Sequence, residues 1–271
     1  VFGSKKIEKL YRIWYNFFGD NMMIDTHAHI FKEDYDNVEE IIKKMGNNII
    51  IVSGTNEIDN KEVIELVNKY DNVYGTLGIH PSEADKDNNS LLDFISKNIT
   101  NKKIVGIGEV GLDYYWVKDN KDRQKELFIK QIELAKKYNK TVVVHSREAI
   151  TDTYNIIKEY KDVKFNIHAY SSSLEMALEF IKLGCKLGIG GVLTFKNSKK
   201  LKEVVKNVPL ESLMLETDSP YLTPEPYRGK KNEPYNIIYV AKEIAALKEI
   251  SVEKVLDVTS NTSISQFDLP I

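Results

Sequence analysis

The chain has five histidines, His27, His29, His80, His145 and His168, and each falls at the end of a short apolar run with the character of a β-strand. The first two belong to Ile24-Asp25-Thr26-His27-Ala28-His29. Residues i and i+2 of a strand point to the same side, so His27 and His29 aim two imidazoles at one point, which is half of a transition-metal site. Two carboxylates occupy similar positions: Glu109 near the end of Ile104–Val110, and Asp218 just after Leu213-Met214-Leu215. Four imidazoles with two carboxylates suit first-row divalent ions, and six donors exceed what one tetrahedral centre needs. The economical arrangement is a site for two divalent ions (zinc, manganese or magnesium) with a carboxylate between them. Such a pair activates water and acts as a Lewis acid on the attacked group, and Asp218 could also take the water's proton as general base. The expected chemistry is metal-assisted hydrolysis. His80 stands in Gly78-Ile79-His80-Pro81, where the proline imposes extended backbone; its type and place fit a seventh ligand, a proton donor or a phosphate clamp.

Strands must hold these side chains, and the chain supplies strands in alternation with helices. Asp36-Asn37-Val38-Glu39 has the spacing of a capping box with Asp36 at the cap; Val38, Ile41, Ile42 and Met45 follow at helical spacing, and Gly46 ends the helix. Apolar runs at Asn48–Ser53, Val73–His80, Ile104–Val110, Thr141–Val144, Val163–Ile167, Lys186–Leu193 and Leu213–Leu215 follow the His-x-His strand and read as buried parallel strands. Between them lie amphipathic segments, among them Lys121–Asn139, Leu174–Ile181 (closed by Gly184) and Lys199–Asn207; helices at Tyr235–Glu249 and Val252–Thr259 finish the chain. Eight alternations in 271 residues approach the roughly 250 of a (β/α)8 TIM barrel, whose strand C-termini all open on one face. An open doubly wound sheet would not readily gather ligands from strands 1, 4, 5, 6 and 8. No linker rich in Gly, Ser or Pro divides the chain. Residues 21–271 are therefore expected to form one TIM barrel with a metal site at the strand C-termini, and residues 1–20, basic and aromatic, are set aside as an N-terminal extension or vector-derived residues.

The net charge of −2 argues against a broad basic surface for duplex DNA but not against a nucleic-acid substrate, because bound ions supply local positive charge. Cys185, the only cysteine, excludes an internal disulfide and reads as a small core residue. No apolar run reaches membrane-spanning length. The expectation is a monomer with no membrane partner, intracellular in the cytoplasm or nucleus, with an organelle left open by whatever precedes Val1.

Several segments in order resemble the TatD family of metal-dependent deoxyribonucleases, in the amidohydrolase superfamily: Ile24–His29 (IDTHAH), Gly78–Pro81 (GIHP), Gly106–Trp116 (GIGEVGLDYYW), Val144–Arg147 (VHSR) and Leu215–Pro234 (LETDSPYLTPEPYRGKKNEP). The resemblance runs across roughly 22–235. It implies that His27, His29 and Asp218 hold one ion, that Glu109 bridges, and that His145 and His168 hold the second. It further implies that His80 and Asp113 line the substrate cleft, that Arg228 contacts the nucleic-acid backbone, and that the activity is 3′-to-5′ exonuclease action on DNA, single-stranded or at 3′ ends, in DNA degradation or repair. The chain departs from the family pattern at Ala169-Tyr170-Ser171-Ser172, at Phe31 and at Asn261-Thr262-Ser263. None of these is an expected ligand.

Two further features bear on substrate. Glu216–Pro234 carries four of the seven prolines together with Arg228, Lys230 and Lys231, whose charges could meet phosphates or only solvent. Tyr114, Tyr115 and Trp116 follow Asp113 and could stack bases or pack beneath a loop. The competing reading is an amidohydrolase-type amide or ester hydrolase, such as an aminoacyl-tRNA deacylase, in which the same centre polarises a carbonyl. Binuclear relatives of that kind often bridge with a carboxylated lysine, whereas strand 4 offers Glu109. A non-catalytic binding protein would not need the complete ligand set.

Overall fold

A computed structural model describes residues 22–116 and 118–271. The segment 1–20 lies outside the described residues. Eight parallel strands pair in sequence order: β1 Ile24–Ala28, β2 Ile49–Ser53, β3 Val73–Leu77, β4 Ile104–Asp113, β5 Thr141–Arg147, β6 Phe165–Ile167, β7 Lys186–Ile189 and β8 Leu213–Leu215. The ring closes where β8 runs out: Ala28 and Ser219 form a parallel bridge, and the Asp218 amide donates to the His27 carbonyl at 3.0 Å. The expected (β/α)8 barrel is the fold. Among the described residues no helix is long and apolar enough to cross a membrane.

The described helices, in chain order, are α1 Val38–Met45, α2 Glu57–Lys69, α3 Asn89–Asn98, α4 Lys121–Tyr138, α5 Ile150–Ile157, α6 Leu174–Lys182, α7 Lys199–Asn207, α8 Ile237–Lys248 and α9 Val252–Phe267. Small polar side chains start several of them. Asn56 caps α2 by accepting from the amides of Ile58 and Asp59, and Ser173 and Ser251 cap α6 and α9 in the same way. The cap of α1 is Asn37, which accepts from the Glu40 amide, and not Asp36 as the spacing predicts. Cys185 is buried, as expected of a core residue.

Three differences from the sequence reading matter for the site. First, β4 runs three residues past Val110, and β5 three past Val144, because Leu112 and Asp113 pair with Ser146 and Arg147. Second, β7 stops at Ile189, and Gly191–Thr194 forms a 3₁₀ turn; a Cβ on Gly191 would sit 2.0 Å from the Leu222 carbonyl, so the loop after β8 packs directly on this turn and requires glycine there. Third, α9 continues from Thr259 to Phe267 despite its polar sequence. Its buried hydroxyls are each satisfied by a carbonyl, Thr259 on Val255, Ser260 on Met22 and Ser263 on Thr259, which removes the cost of burying them.

That extension delivers Phe267 and Leu269 to the barrel interior, where they pack with Ile24, Ile49, Ile51, Tyr74, Val105, Val143 and Met214. The larger apolar layer lies between the strands and the helices. Phe267→Ala should cost about 3–5 kcal/mol, the range for emptying a buried aromatic site, and the check is the urea midpoint.

Candidate metal centre

The strand C-termini open into a cleft of about 820 Å³ lined by His29, His80, Glu109, His145, His168 and Asp218, among others. Two bulges place its central donors. One extra residue lies in β1 between Asp25 and Ala28, and one in β4 between Ile107 and Val110. A bulge bends the strand and re-aims a side chain; here the bulged stretches carry His27 and Glu109.

Glu109 is the hub. Its Oε2 lies 3.3 Å from His27 Nε2 and 3.4 Å from His29 Nε2. Its Oε1 lies 2.7 Å from His145 Nδ1, 3.8 Å from His168 Nε2 and 3.9 Å from His80 Nε2. One carboxylate thus turns its two oxygens toward two groups of histidines. Asp218 Oδ1 stands 3.5–3.8 Å from the Nε2 atoms of His27, His29 and His168. Asp218 holds φ 55°, a conformation uncommon for a residue with a Cβ, with its amide tied to the His27 carbonyl.

The outward ring nitrogens are anchored. Ser53 holds both residues of the His-x-His pair, its Oγ 3.0 Å from His27 Nδ1 and its carbonyl accepting from His29 Nδ1 at 2.9 Å. His168 Nδ1 lies 3.0 Å from Glu216 Oε1. Partners at Nδ1 turn the Nε2 atoms toward the centre, the usual arrangement for metal-ligating imidazoles. His80 is oriented the other way: its Nδ1 accepts from the Ser82 amide at 3.2 Å, so the neutral ring carries its proton on Nε2, toward Glu109. His145 is held at both nitrogens, by Glu109 at Nδ1 and by Asp113 Oδ2 at 3.1 Å from Nε2.

Charge follows geometry. Burial pushes the Glu109 carboxyl up, but hydrogen bonds from His145, His27 and His29 outweigh it and hold the group well below the usual carboxylate range. Burial opposes protonation of His145, yet Asp113 and Glu109 raise it to about 9. His168 rises to about 10 because Glu216 and Asp218 overcome its burial. Burial lowers His80 to about 4 and, with His168 close by, lowers His27 as well. Without an ion, then, protons hold the cluster together. His27 Nε2 and His29 Nε2 face each other at 3.0 Å with their other nitrogens already committed, a contact that needs a proton or a cation between lone pairs. The donor set fits divalent metal ions.

The donors fall into three compact groups: His27, His29 and Asp218; His27, Glu109 and His168; and His80, Glu109 and His145. The first group is the trio expected from the sequence. The expected pairing of His145 with His168 is not seen as a compact group, and their rings stand 6.5 Å apart. Asp113 lines the cleft, and besides holding His145 it accepts from the amides of Tyr115 and Trp116. Arg228 is not among the cleft-lining residues; its guanidinium rests 4.2 Å from the Phe195 ring. Lys231 binds the Asp34 carbonyl, so it braces the loop. Tyr114 is buried with its hydroxyl on Asp152, which separates it from the exposed Tyr115 and Trp116.

Sequence reasoning missed Glu216, Ser53 and Asp25. Glu216 is fully buried, also accepts from the Ala169 amide at 2.6 Å, and occupies space that exists only because residue 188 is glycine: a Cβ there would lie 2.0 Å from Glu216 Oε2. Its one signal in the sequence is a charge directly after an apolar strand.

Two measurements follow. Glu216→Ala should weaken metal affinity about 10- to 100-fold, the usual effect of removing a partner that orients a ligand, as read by titration calorimetry. In the metal-free protein, the raised values of His145 and His168 contribute stability that is complete below the ordinary histidine value and lost as pH rises through about 9 and about 10. The lowered carboxyls of Glu109 and Asp218 contribute stability that is lost on acidification. Unfolding temperature in EDTA should therefore fall on the alkaline side, while the increment from added Zn²⁺ or Mn²⁺, which competes with those protons, should grow as pH rises from acid toward neutral. A pH-independent increment would contradict this description.

Residues 24–268 match the family described as TatD related DNase. Among curated proteins, the uncharacterized metal-dependent hydrolase YabD of Bacillus subtilis is 41% identical over 248 residues, which are 89% of this chain and 97% of YabD. An uncharacterized metal-dependent hydrolase of Methanocaldococcus jannaschii is 39% identical over 246 residues, 88% of this chain and 94% of its own. Among solved structures, the TatD homolog YjjV of Escherichia coli K12 aligns with a TM-score of 0.82 at 28% identity, covering 92% of this chain and 98% of that one. With the donor set and the barrel in agreement, the chain belongs to the TatD family of metal-dependent hydrolases.

Proposed function

We propose that this hydrolase is a deoxyribonuclease that removes nucleotides from the 3′ ends of DNA, using two divalent ions, Mg²⁺, Mn²⁺ or Zn²⁺. The observation that carries this reading is Glu109, whose two oxygens face two groups of histidines in one cleft. In this reading His27, His29 and Asp218 hold one ion, Glu109 bridges, and His145 and His168 complete the second site. When bound, the ions supply Lewis acidity at the attacked phosphorus and lower the pKa of a water.

The residues of the chain do the rest. Asp218 Oδ1 faces the centre and takes the attacking water's proton. His80, neutral and with its proton on Nε2, keeps a donor that the Nδ1-anchored imidazoles would give up once their Nε2 atoms hold ions, which suits a hydrogen bond to the phosphate or to the leaving oxygen. Asp113 keeps His145 in place. No lysine lines the cleft among the described residues, so Glu109 is the bridging group at hand, which supports the nuclease reading. The description of the matched family supports the same substrate.

One feature favours the second reading, an amide or ester hydrolase: Glu33, Asp34 and Asp59 line the cleft and would suit a substrate carrying an amine. The deciding experiment is a gel of 5′-labelled single-stranded DNA with Mg²⁺ or Mn²⁺, run beside EDTA and Asp218→Asn. A ladder shortening from the 3′ end is expected, with Asp218→Asn slower by about 10²–10⁴-fold, the range for losing a general base. His80→Gln should lower kcat while leaving metal stoichiometry intact. Intact DNA in every lane with metal content confirmed, alongside turnover of an aminoacyl ester, would replace the proposal with the second reading.

A further inference from the structure

We infer that Trp116, Tyr115 and Arg147 form a subsite for single-stranded nucleic acid on the β4–β5 rim, with Trp116 stacking a base and Arg147 clamping a neighbouring phosphate; this rests on the nuclease reading. The aromatic turn is fixed to the metal centre. Asp113, which binds His145 through Oδ2, accepts the Tyr115 and Trp116 amides on Oδ1, both at 3.0 Å. The Tyr114 amide donates to the Arg147 carbonyl at 2.9 Å, and the Tyr114 hydroxyl bonds Asp152 at 2.8 Å. A turn pinned at these points still leaves Trp116 70% exposed and Tyr115 43% exposed. Packing does not account for an indole that buries so little of its surface.

Arg147 pairs with Asp113 across the β4–β5 ladder, and its guanidinium carbon lies 4.1 Å from the Tyr115 ring centre and 5.4 Å from that of Trp116. Stacking occupies the face of a guanidinium and leaves its in-plane N–H groups for a phosphate. Arg123, by contrast, is paired with Asp85 at 2.8 Å, and among the described residues no carboxylate pairs with Arg147. Arg147 is also the only lysine or arginine lining the cleft among the described residues, and Trp116 lines it too. The cleft carries Glu33, Asp34 and Asp59 on segments next to β1 and β2. A polyanionic strand bound at the metal centre is repelled by those carboxylates and drawn over the β4–β5 rim, where a base platform and a phosphate donor stand side by side. A single strand meets both requirements, since its bases are free to stack.

The test uses the full chain in EDTA, so that binding is read without turnover, with a 5′-labelled oligothymidylate followed by anisotropy. Trp116→Ala should weaken binding roughly 5- to 100-fold, within the range for base–aromatic stacking. Arg147→Gln should weaken it and flatten the log–log salt dependence by about 0.7, the value for one phosphate contact to a single strand. Trp116→Phe should retain most of the affinity but lose the tryptophan quenching that the oligonucleotide causes in the wild type. Wild-type affinity in both Trp116→Ala and Arg147→Gln, or quenching that persists in Trp116→Phe, would overturn the subsite. With metal restored, a wild-type enzyme that degrades the oligonucleotide while both variants keep its KM would overturn the subsite alone. A wild type that neither binds nor degrades it would overturn the nuclease reading and the subsite together.

Discussion

The barrel closes through its own site. Eight parallel strands make a ring only if β8 meets β1, yet β8 is three residues long and the seam carries little regular ladder. What joins the edges is the segment immediately after β8. Asp218 donates its amide to the His27 carbonyl, His29 donates to the Ser219 carbonyl at 2.6 Å, and Asp25 accepts from the amide and hydroxyl of Thr217. Burial pushes Asp25 up to about 8, while the hydrogen bonds from Thr217 and from the His27 amide oppose that rise. The backbone that shuts the barrel is thus the backbone that carries three of the proposed ligands. The relative position of strand 1 and strand 8 donors is set by the fold's obligatory closure and needs no flexible loop.

Closure also explains how so many titratable groups share so little space. Five imidazoles and two carboxylates near Glu109 would be costly if each had to be satisfied separately. Anchors outside the cluster do part of this: Ser53 takes two imidazoles, Ser82 a third and Asp113 a fourth, and Glu216 stands beside the fifth, His168, as an ion-pair partner at 3.0 Å. The inward atoms then carry alternating charge, with Glu109 held ionised by the imidazoles and His145 and His168 held protonated by the carboxylates. A divalent cation enters such a cluster by exchanging with protons, and the scaffold is already shaped around positive charge.

The sequence makes the donor cluster legible because chemistry and fold disagree locally: a histidine or carboxylate ending a valine- and isoleucine-rich run has no reason to be there unless the run opens onto a site. His27, His29, Glu109, His145, His168 and Asp218 were legible on those grounds, and so was the alternation that makes a barrel. The bulges were not, since an extra residue in β1 or β4 leaves the apolar pattern nearly unchanged and shows only against the partner strand's register. Glu216 was hidden for a related reason. Its room is provided by the missing side chain at Gly188 on the adjacent strand, a complementarity between positions far apart in sequence. The polar face of α9 gave a false stop at Thr259 because the hydroxyls that hide in it bond carbonyls, which composition does not reveal. Arg228, expected from its motif to meet a nucleic-acid backbone, stacks on Phe195 and is not among the residues lining the cleft.

A strand-end metal cluster does not by itself choose between a phosphorus and a carbonyl carbon, because Lewis acidity serves both. Discrimination has to come from the segments beyond the strands, and here those segments are electrically unequal. Among the described residues the cleft combines the carboxylates Glu33, Asp34 and Asp59 with a single guanidinium, Arg147. Charges of opposite sign on opposite rims of a cleft bias the direction in which a charged chain leaves the centre. A substrate with an amine would be drawn to the carboxylates, and a substrate with a phosphate train toward Arg147. The turn that presents Trp116 and Tyr115 is built off Asp113, the same residue that steadies His145. The proposed subsite and the orientation of His145 therefore share one side chain, so a change in the loop that shifted Asp113 would be felt at the donor cluster. That coupling ties the turn after β4 to the donor cluster, because Asp113, the last residue of β4, holds both.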